Sequence, residues 1–399
     1  MRNRKYDSRT MRKPVNKPEK TASAASSFAP AASAQTLPGF THSRAQFEEL
    51  ADAAMSHARK LGASDVAADV SEGAGLSVSA RQGELETVEH SLDKSLAVTV
   101  YIGHKSGSAS TCDFSPQAVR QTVQAAYDIA RYITEDPASG LPDEADVAGP
   151  QAASLDLDLF HPWNPSVEQA LALALACEQA ALQTSPHISN SEGAGVSAQQ
   201  SHFFSAHSHG FRGGYASSRH SFSVSVIAGQ GDAMQRDGWF SAERNAARLA
   251  SPEAVGRYAA ERALSRVGAR KISTRECPVL FEAPLAAGLL GHFVQAVSGG
   301  ALYRKNTFLA GSLGQPVFAG HVEITENPFI PGGRGSAPFD GEGVRVTPRQ
   351  VVQAGRVAGY FLGSYSARKL GMKTTGNAGG SHNLRLSSRL TKRGDDFAR

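Results

Sequence analysis

Ser71-Glu72-Gly73-Ala74-Gly75-Leu76-Ser77 returns 120 residues later as Ser191-Glu192-Gly193-Ala194-Gly195-Val196-Ser197. Each copy follows a run of helical periodicity, leads into alternating residues, and is closed by a second helical run. In the first unit Ser43 and Gln46 form a capping-box pattern ahead of Phe47, Leu50, Ala54, Ala58 and Leu61, and Gly62 ends the helix. The stretches Val66 to Val70, Leu76 to Ala80, Leu85 to His90 and Leu96 to Ile102 read as antiparallel strands, broken at Gly73, Gly75, Gly83 and Asp93. Ser115 and Pro116 open the closing helix, with Val119, Val123, Ala126, Tyr127 and Ala130 on one face. The second unit has its helices at about 167–182 and 252–267. The spacing predicts a duplicated unit of helix, antiparallel strands and helix. A plainer alternative stays open: chance similarity among small residues, at two hairpin turns that each need glycine at positive φ.

Working outward, residues 1–38 form a tail whose first twenty carry eight basic residues against Asp7 and Glu19, followed by an uncharged Ala/Ser/Pro tract. That composition predicts disorder, and its Ala/Ser-rich centre makes a poor secretory signal. The whole chain is only +4, so the remainder carries a small negative charge and gives no support to specific nucleic-acid binding. No run approaches the roughly 20 apolar residues of a membrane span. Cys112, Cys177 and Cys277 lie far apart, which argues against a disulfide framework or zinc ribbon and fits a reducing cytoplasm. Cys177, inside an apolar helical run, reads as a buried small hydrophobe. From Cys277 onward Val279 to Phe281, Val322 to Thr325, Val344 to Val346 and Leu384 to Leu386 read as short strands between Gly-rich loops. The expected organisation is an α+β chain: tail 1–38, α+β units 39–150 and 151–272, and a β-rich unit 273–399.

Several longer runs carry a resemblance. Tyr303-Arg304-Lys305-Asn306-Thr307-Phe308-Leu309, Pro338-Phe339-Asp340-Gly341-Glu342-Gly343-Val344, Tyr365-Ser366-Ala367-Arg368-Lys369-Leu370-Gly371 and Gly376-Asn377-Ala378-Gly379-Gly380-Ser381-His382-Asn383 are similar to the PmbA (TldE) branch of the TldD/PmbA proteins. Leu157 to Pro162 and Ser218 to Ser221 extend the match, which runs colinearly from about Phe47 to His382. The resemblance implies a barrel-like C-terminal domain. It also implies a heterodimeric zinc metallopeptidase whose TldD-like subunit carries a His-Glu-x-x-x-His helix, and whose PmbA-like subunit has that motif decayed. The family normally continues for several tens of residues past this C-terminus, so a truncated product or fragment with exposed strand edges is expected.

Laid on Gly291 to Gly300, the zinc helix puts Val294, Gln295 and Gly299 at the His, Glu and His positions. The one histidine there, His292, has no second His three to five residues on. A carboxamide at Gln295 cannot take a proton from metal-bound water. Phe293, Val294 and Val297 otherwise read as a core-facing helix stripe.

Other chemistry is thinner. His202, His207, His209 and His220 cluster in a strand-rich region, where His207 and His209 would share one face of an extended strand. No Asp or Glu between Gly193 and Gly231 completes such a site, and polar surface positions on a hairpin are the preferred reading. Gly376, Gly379, Gly380, His382 and Asn383 suit a nest of backbone N–H groups for a carboxylate or phosphate, with loop closure as the alternative. Asp340 and Glu342 read as turn acids. There is no Walker A pattern, and in Gly363-Ser364-Tyr365-Ser366-Ala367 a Tyr occupies the nucleophile position of a serine-hydrolase elbow.

The sequence therefore predicts a cytoplasmic PmbA-like subunit, itself non-catalytic and without metal. Its TldD-like partner would hold the zinc, and its substrate would be an unfolded peptide or peptide precursor. A self-sufficient metallohydrolase built on the histidines, and a non-enzymatic binding or modulator protein, are the alternatives.

Overall fold

A computed structural model describes residues 35–391. The reading of residues 1–38 as a disordered tail falls outside these except at 35–38. In the first unit α1 (Arg44–Leu61) is followed by β1 (Asp65–Arg81), β2 (Glu84–Ile102), β3 (Lys105–Thr111) and α2 (Pro116–Tyr132). After the short α3 (Pro150–Ala153), the second unit runs α4 (Val167–Leu182), β4 (Ile188–His207), β5 (Arg212–Gly213), β6 (Ala216–Ala228), β7 (Gln235–Glu243) and α5 (Pro252–Ser265).

The helix signals operate as read. Ser43 and Gln46 close a reciprocal capping box and Gly62 takes the left-handed C-cap at φ 97°. Ser115 caps α2 with Pro116 in its first turn, and Ser166 and Gln169 repeat the capping box on α4. Replacing Ser43 by Ala removes the acceptor for the Gln46 N–H. Urea unfolding should show about 1 kcal/mol of lost stability, and no loss would mean that the cap contributes nothing.

The strands differ from expectation. β1 and β2 run unbroken for 17 and 19 residues, joined by a two-residue turn in which Gln82 and Gly83 both have positive φ (52° and 81°). Gly73, Gly75 and Asp93 sit inside paired strands, because a continuous ladder on both sides of β1 holds the backbone extended. Of the glycines in the two copies only Gly193 has positive φ (107°), at a register shift in the β4–β6 pairing. The repeat is therefore not a pair of hairpin turns. Its copies lie on neighbouring antiparallel strands with Ser77 directly opposite Ser197, as a local two-fold axis through that pair requires. The sheet order β3-β2-β1-β4-β6-β7 reads symmetrically about it.

Both units thus share one sheet with two unlike faces. Even-numbered residues on the central strands, such as Val66, Val70, Val78, Val196, Phe204, Phe222 and Val224, are buried under α1, α2, α4 and α5. Cys177 lies in this core, where burial pushes its thiol up to about 12.

The C-terminal unit contains α6 (Ala283–Ala296), α7 (Gly299–Tyr303), β8 (Val322–Asn327), β9 (Arg349–Gln353), β10 (Arg356–Val357), α8 (Ser364–Lys369) and β11 (Asn383–Ser388). Its sheet has the order β10-β9-β8-β11 and is open, so among the described residues no barrel closes. Val279 to Phe281 forms no strand and is exposed, and Val344 to Val346 makes only isolated bridges to Val147 and Phe339. Short apolar runs become strands only where a neighbour pairs with them. Val322 and Leu384 do find such partners, in each other's strands. This unit meets the rest of the chain through Phe339, packed on Phe203, Phe211 and Tyr215, and through α8. There Tyr365 and Lys369 bond to Asp136, and Arg368 to Asp143 and the Leu141 carbonyl. No helix among the described residues is long and apolar enough to cross a membrane.

Candidate functional site

The sheet's second face decides where a ligand can sit. Its odd-numbered residues include Ser71, Gly73, Gly75, Ser77 and Ser79 on β1, Gly195, Ser197, Gln199 and Ser201 on β4, and Ser217, Ser221, Ser223 and Ser225 on β6. Such a face offers hydroxyl donors and acceptors with no bulk. At one end the C-terminal unit closes over it and leaves a cleft of about 330 Å³. The floor is Asp69, Phe203, Ser205, Tyr215 and Ser217; Arg244, the 334–341 loop and the 378–382 loop complete the lining.

Two buried carboxylates hold the loops. Glu326 on β8 accepts from the Asn377 side chain (2.9 Å), the His382 backbone N–H (2.6 Å) and Arg349 Nε (2.6 Å), and lies 3.1 Å from His382 Nδ1. Burial alone would raise its pKa, but the bonds from His382 and Arg349 hold it down at about 2. Asp340 accepts N–H bonds from Glu342, Val344 and Ala378, joining the two loops. Here burial outweighs those bonds, and its carboxyl is pushed up to about 6. Glu342 accepts the Ser364 N–H at the start of α8. The paired acids are thus loop anchors.

The rise at Asp340 has a sign that can be checked. A carboxyl raised in the folded state adds stability below the unfolded value, near 4, and loses it as pH rises through 6. Between pH 4 and 8 wild type should lose about 2.5 kcal/mol relative to Asp340→Asn, as the shift from 3.8 to about 6 implies. Urea unfolding at both pH values checks this, and a constant difference would exclude a raised Asp340.

The expected nest is divided. Gly379, Gly380 and His382 line the cleft, and Gly379 and Ser381 make no hydrogen bond among the described residues. Gly376 and Asn383 serve the loop itself. At Gly376 (φ 69°) a Cβ would meet the Arg345 carbonyl at 2.4 Å, and Asn383 clamps Gly335, Ser336 and Asn327.

The motif positions do not form one helical face. α6 stops at Ala296, Ser298 donates its hydroxyl back to the Gln295 carbonyl, and Gly299 opens α7 with its N–H on the Phe361 carbonyl. Val294 packs with buried Phe293 and Val297 in the C-terminal core, as the stripe reading expected, while Gln295 and His292 are exposed. Val294, Gln295 and Gly299 supply no imidazole and no carboxylate, so this chain's residues do not fit a catalytic zinc there.

The histidines do not make a centre either. His202 is buried against Glu72 (3.2 Å), whose carboxylate also accepts from Thr41 and from the His42 backbone N–H. Burial would raise Glu72, and these bonds hold it at about 2. β4 ends at His207, so His209 lies in the following turn, paired to Asp65 (3.2 Å), and the shared-face reading fails. His207 is pushed down to about 4 by burial and by His209. His220 bonds the His161 carbonyl (2.8 Å). Glu72 and Asp65 come from a neighbouring strand, a source that a local search for acids misses. Among the described residues no three His, Cys, Asp or Glu side chains are grouped to hold a metal.

Arg244, Arg334, Tyr215, Phe203 and Asp69 were not anticipated. The available signal was the every-second-residue serine pattern of β6, which marks a polar sheet face before tertiary structure is known.

This arrangement has relatives. A protein from Bacteroides thetaiotaomicron titled as a candidate modulator of DNA gyrase superposes with a TM-score of 0.79 at 23% identity, covering 85% of this chain and 77% of that one. TldE from Thermococcus kodakarensis does so with 0.64 at 17% identity, covering 86% and 77%. At these identities the likeness is one of fold, and it defines the class as a TldE-like α+β fold. Models described as PmbA/TldA metallopeptidase domain 1, central domain and C-terminal domain match residues 66–130, 160–267 and 274–396. Metalloprotease PmbA of Escherichia coli O157:H7 is 46% identical over 318 residues, 80% of this chain and 70% of that protein. The Haemophilus influenzae PmbA homolog is 42% identical over 351 residues, 87% and 77%. The chain belongs to the PmbA/TldD metallopeptidase family, on its PmbA branch.

Proposed function

We propose that this chain is the non-catalytic, PmbA/TldE-type subunit of a heterodimeric zinc metallopeptidase that acts on unfolded peptides or peptide precursors. The observation that carries the reading is the contrast between two places in the C-terminal unit. The motif positions, at the end of α6 and the start of α7, bear Val294, Gln295 and Gly299, none able to ligate zinc or act as the base. Elsewhere, a polar cleft lies open where the C-terminal loops meet a serine-lined sheet face. Hydroxyls and free backbone N–H groups hold an extended backbone with little preference for its side chains, which suits unfolded substrates. The zinc and the water it activates belong in this reading to a TldD-like partner.

Zinc analysis and peptide hydrolysis test the reading, with the pure chain, the TldD-like partner and their mixture. The expected result is no stoichiometric zinc and no cleavage by this chain, and cleavage by the mixture that neither shows alone. Cleavage by this chain alone that EDTA stops would overturn the reading in favour of a self-sufficient metallohydrolase. A mixture that neither associates nor gains activity would favour a separate binding or modulator protein.

A further inference from the structure

Many arginines of this chain meet a carboxylate: Arg44, Arg212, Arg236, Arg262, Arg349 and Arg368 all do so. Among the described residues Arg244, Arg334 and Arg219 do not. Arg244 is half-buried and spends its N–H groups on the carbonyls of Gly333, Arg334 and Ser218, which fix the plane of its guanidinium. Arg334 donates to the Ala242 carbonyl, and exposed Arg219 has no partner among the described residues. Arg219 lies close enough to Arg244 to disfavour its charge, adding to the effect of burial. The acids that share the cleft give no relief. Asp340 is occupied by three N–H donors, and among the described residues neither it nor Asp69 forms an ion pair. Arg244 and Ser217 line both this cleft and a second cavity of about 330 Å³, lined also by Arg219, Asp93, Gln199 and Ser201, and among the described residues Asp93 forms no ion pair with these arginines. Like charges gathered at a cavity junction without a counter-ion are costly unless a ligand supplies one, and a planar guanidinium fits a carboxylate in two-pronged fashion.

We propose that Arg244 and Arg334, with Arg219 at the rim, form a subsite that anchors a carboxylate of the bound peptide, with the N–H groups of Gly379 and Ser381 near by in the same cleft. This rests on the reading of the cleft as a peptide site and adds what that site recognises. Two sources supply the chemistry: the free α-carboxylate at a peptide's C-terminus and an Asp or Glu side chain.

The test uses the full chain, alone and with a TldD-like partner stripped of zinc so that nothing is cut. Three fluorescein-labelled unstructured decapeptides are titrated by anisotropy: one with a free C-terminal carboxylate, its C-terminal amide, and the amide with one internal Gln replaced by Glu. At least one carboxylate-bearing peptide should bind tenfold or more tighter than the neutral amide. The free acid winning identifies the chain end, and the Glu peptide winning identifies the side chain. Arg334→Gln and Arg244→Gln should abolish the difference between the acid and amide peptides. Arg219→Gln, at an exposed position without partners, should reduce the difference a few fold with an unchanged melting temperature, which guards against misfolding of the buried variant. Equal binding of all three peptides would overturn the carboxylate subsite while leaving the peptide site standing. Binding of none, with or without the partner, would overturn both.

Discussion

Glu326→Ala should lower the unfolding free energy by about 3–5 kcal/mol at neutral pH, the usual loss when one member of a buried ion pair is removed. Glu326 is 2% exposed and serves Arg349, Asn377 and His382 at once. Without it Arg349, which also bonds the Tyr360 carbonyl and stacks on Phe361, would keep a poorly compensated charge in a largely apolar setting. The two sides of the 376–383 loop would also lose their common acceptor. Since the folded carboxyl is depressed to about 2, its contribution is complete above the unfolded value near 4.5 and is lost as pH falls toward 2. Urea unfolding at pH 7 and pH 3 should therefore show the gap between variant and wild type closing in acid. Limited proteolysis should find new cuts in the loop. A gap that is the same at both pH values would show that the ion pair is not its source.

The second large effect concerns the decayed motif. Restoring Val294→His, Gln295→Glu and Gly299→His together should yield no stoichiometric zinc and should destabilise the chain, chiefly through position 299. A Cβ on Gly299 would stand 2.1 Å from Ser366 Oγ and 2.4 Å from Ser366 Cβ, with Leu362 at 3.2 Å. Ser366 lies on α8 and bonds the Gly363 carbonyl, so its Cβ cannot swing aside as the end of a long side chain would. Gly299→Ala alone should lower stability by about 2–3 kcal/mol, in the range for overpacked sites. The double variant Val294→His with Gln295→Glu, at a half-buried and an exposed position, should be milder. Zinc content and melting temperature of the three variants check this. A triple variant that melts like wild type and binds one zinc would show that the site lost only its ligands.

The helices, their caps and the duplication were determined locally. A capping box, a left-handed glycine and an apolar stripe act within one or two turns, so Ser43, Gln46 and Gly62 could be read without knowing what α1 packs against. The runs at 303–309, 338–344, 365–371 and 376–383 likewise placed the chain in its family. Strand continuity was not legible, because Gly73 and Gly75 look like breaks until β2 and β4 pair on either side of them. Nor was the failure of Val279 to Phe281 to become a strand, since pairing depends on a distant neighbour. The candidate site divided the same way. Gly379, Gly380 and His382 stand together in sequence and could be found, whereas Arg244, Arg334 and Asp69 converge only through sheet register and loop docking. The partners of His202 and His209 are Glu72 and Asp65, more than a hundred residues away. Whether a glycine is a turn, a close approach or part of a ligand cradle depends on the atoms facing it. Gly376 and Gly299 proved to be packed against the protein itself, and Gly379 to be open to the cleft, because tertiary contacts set what each backbone meets.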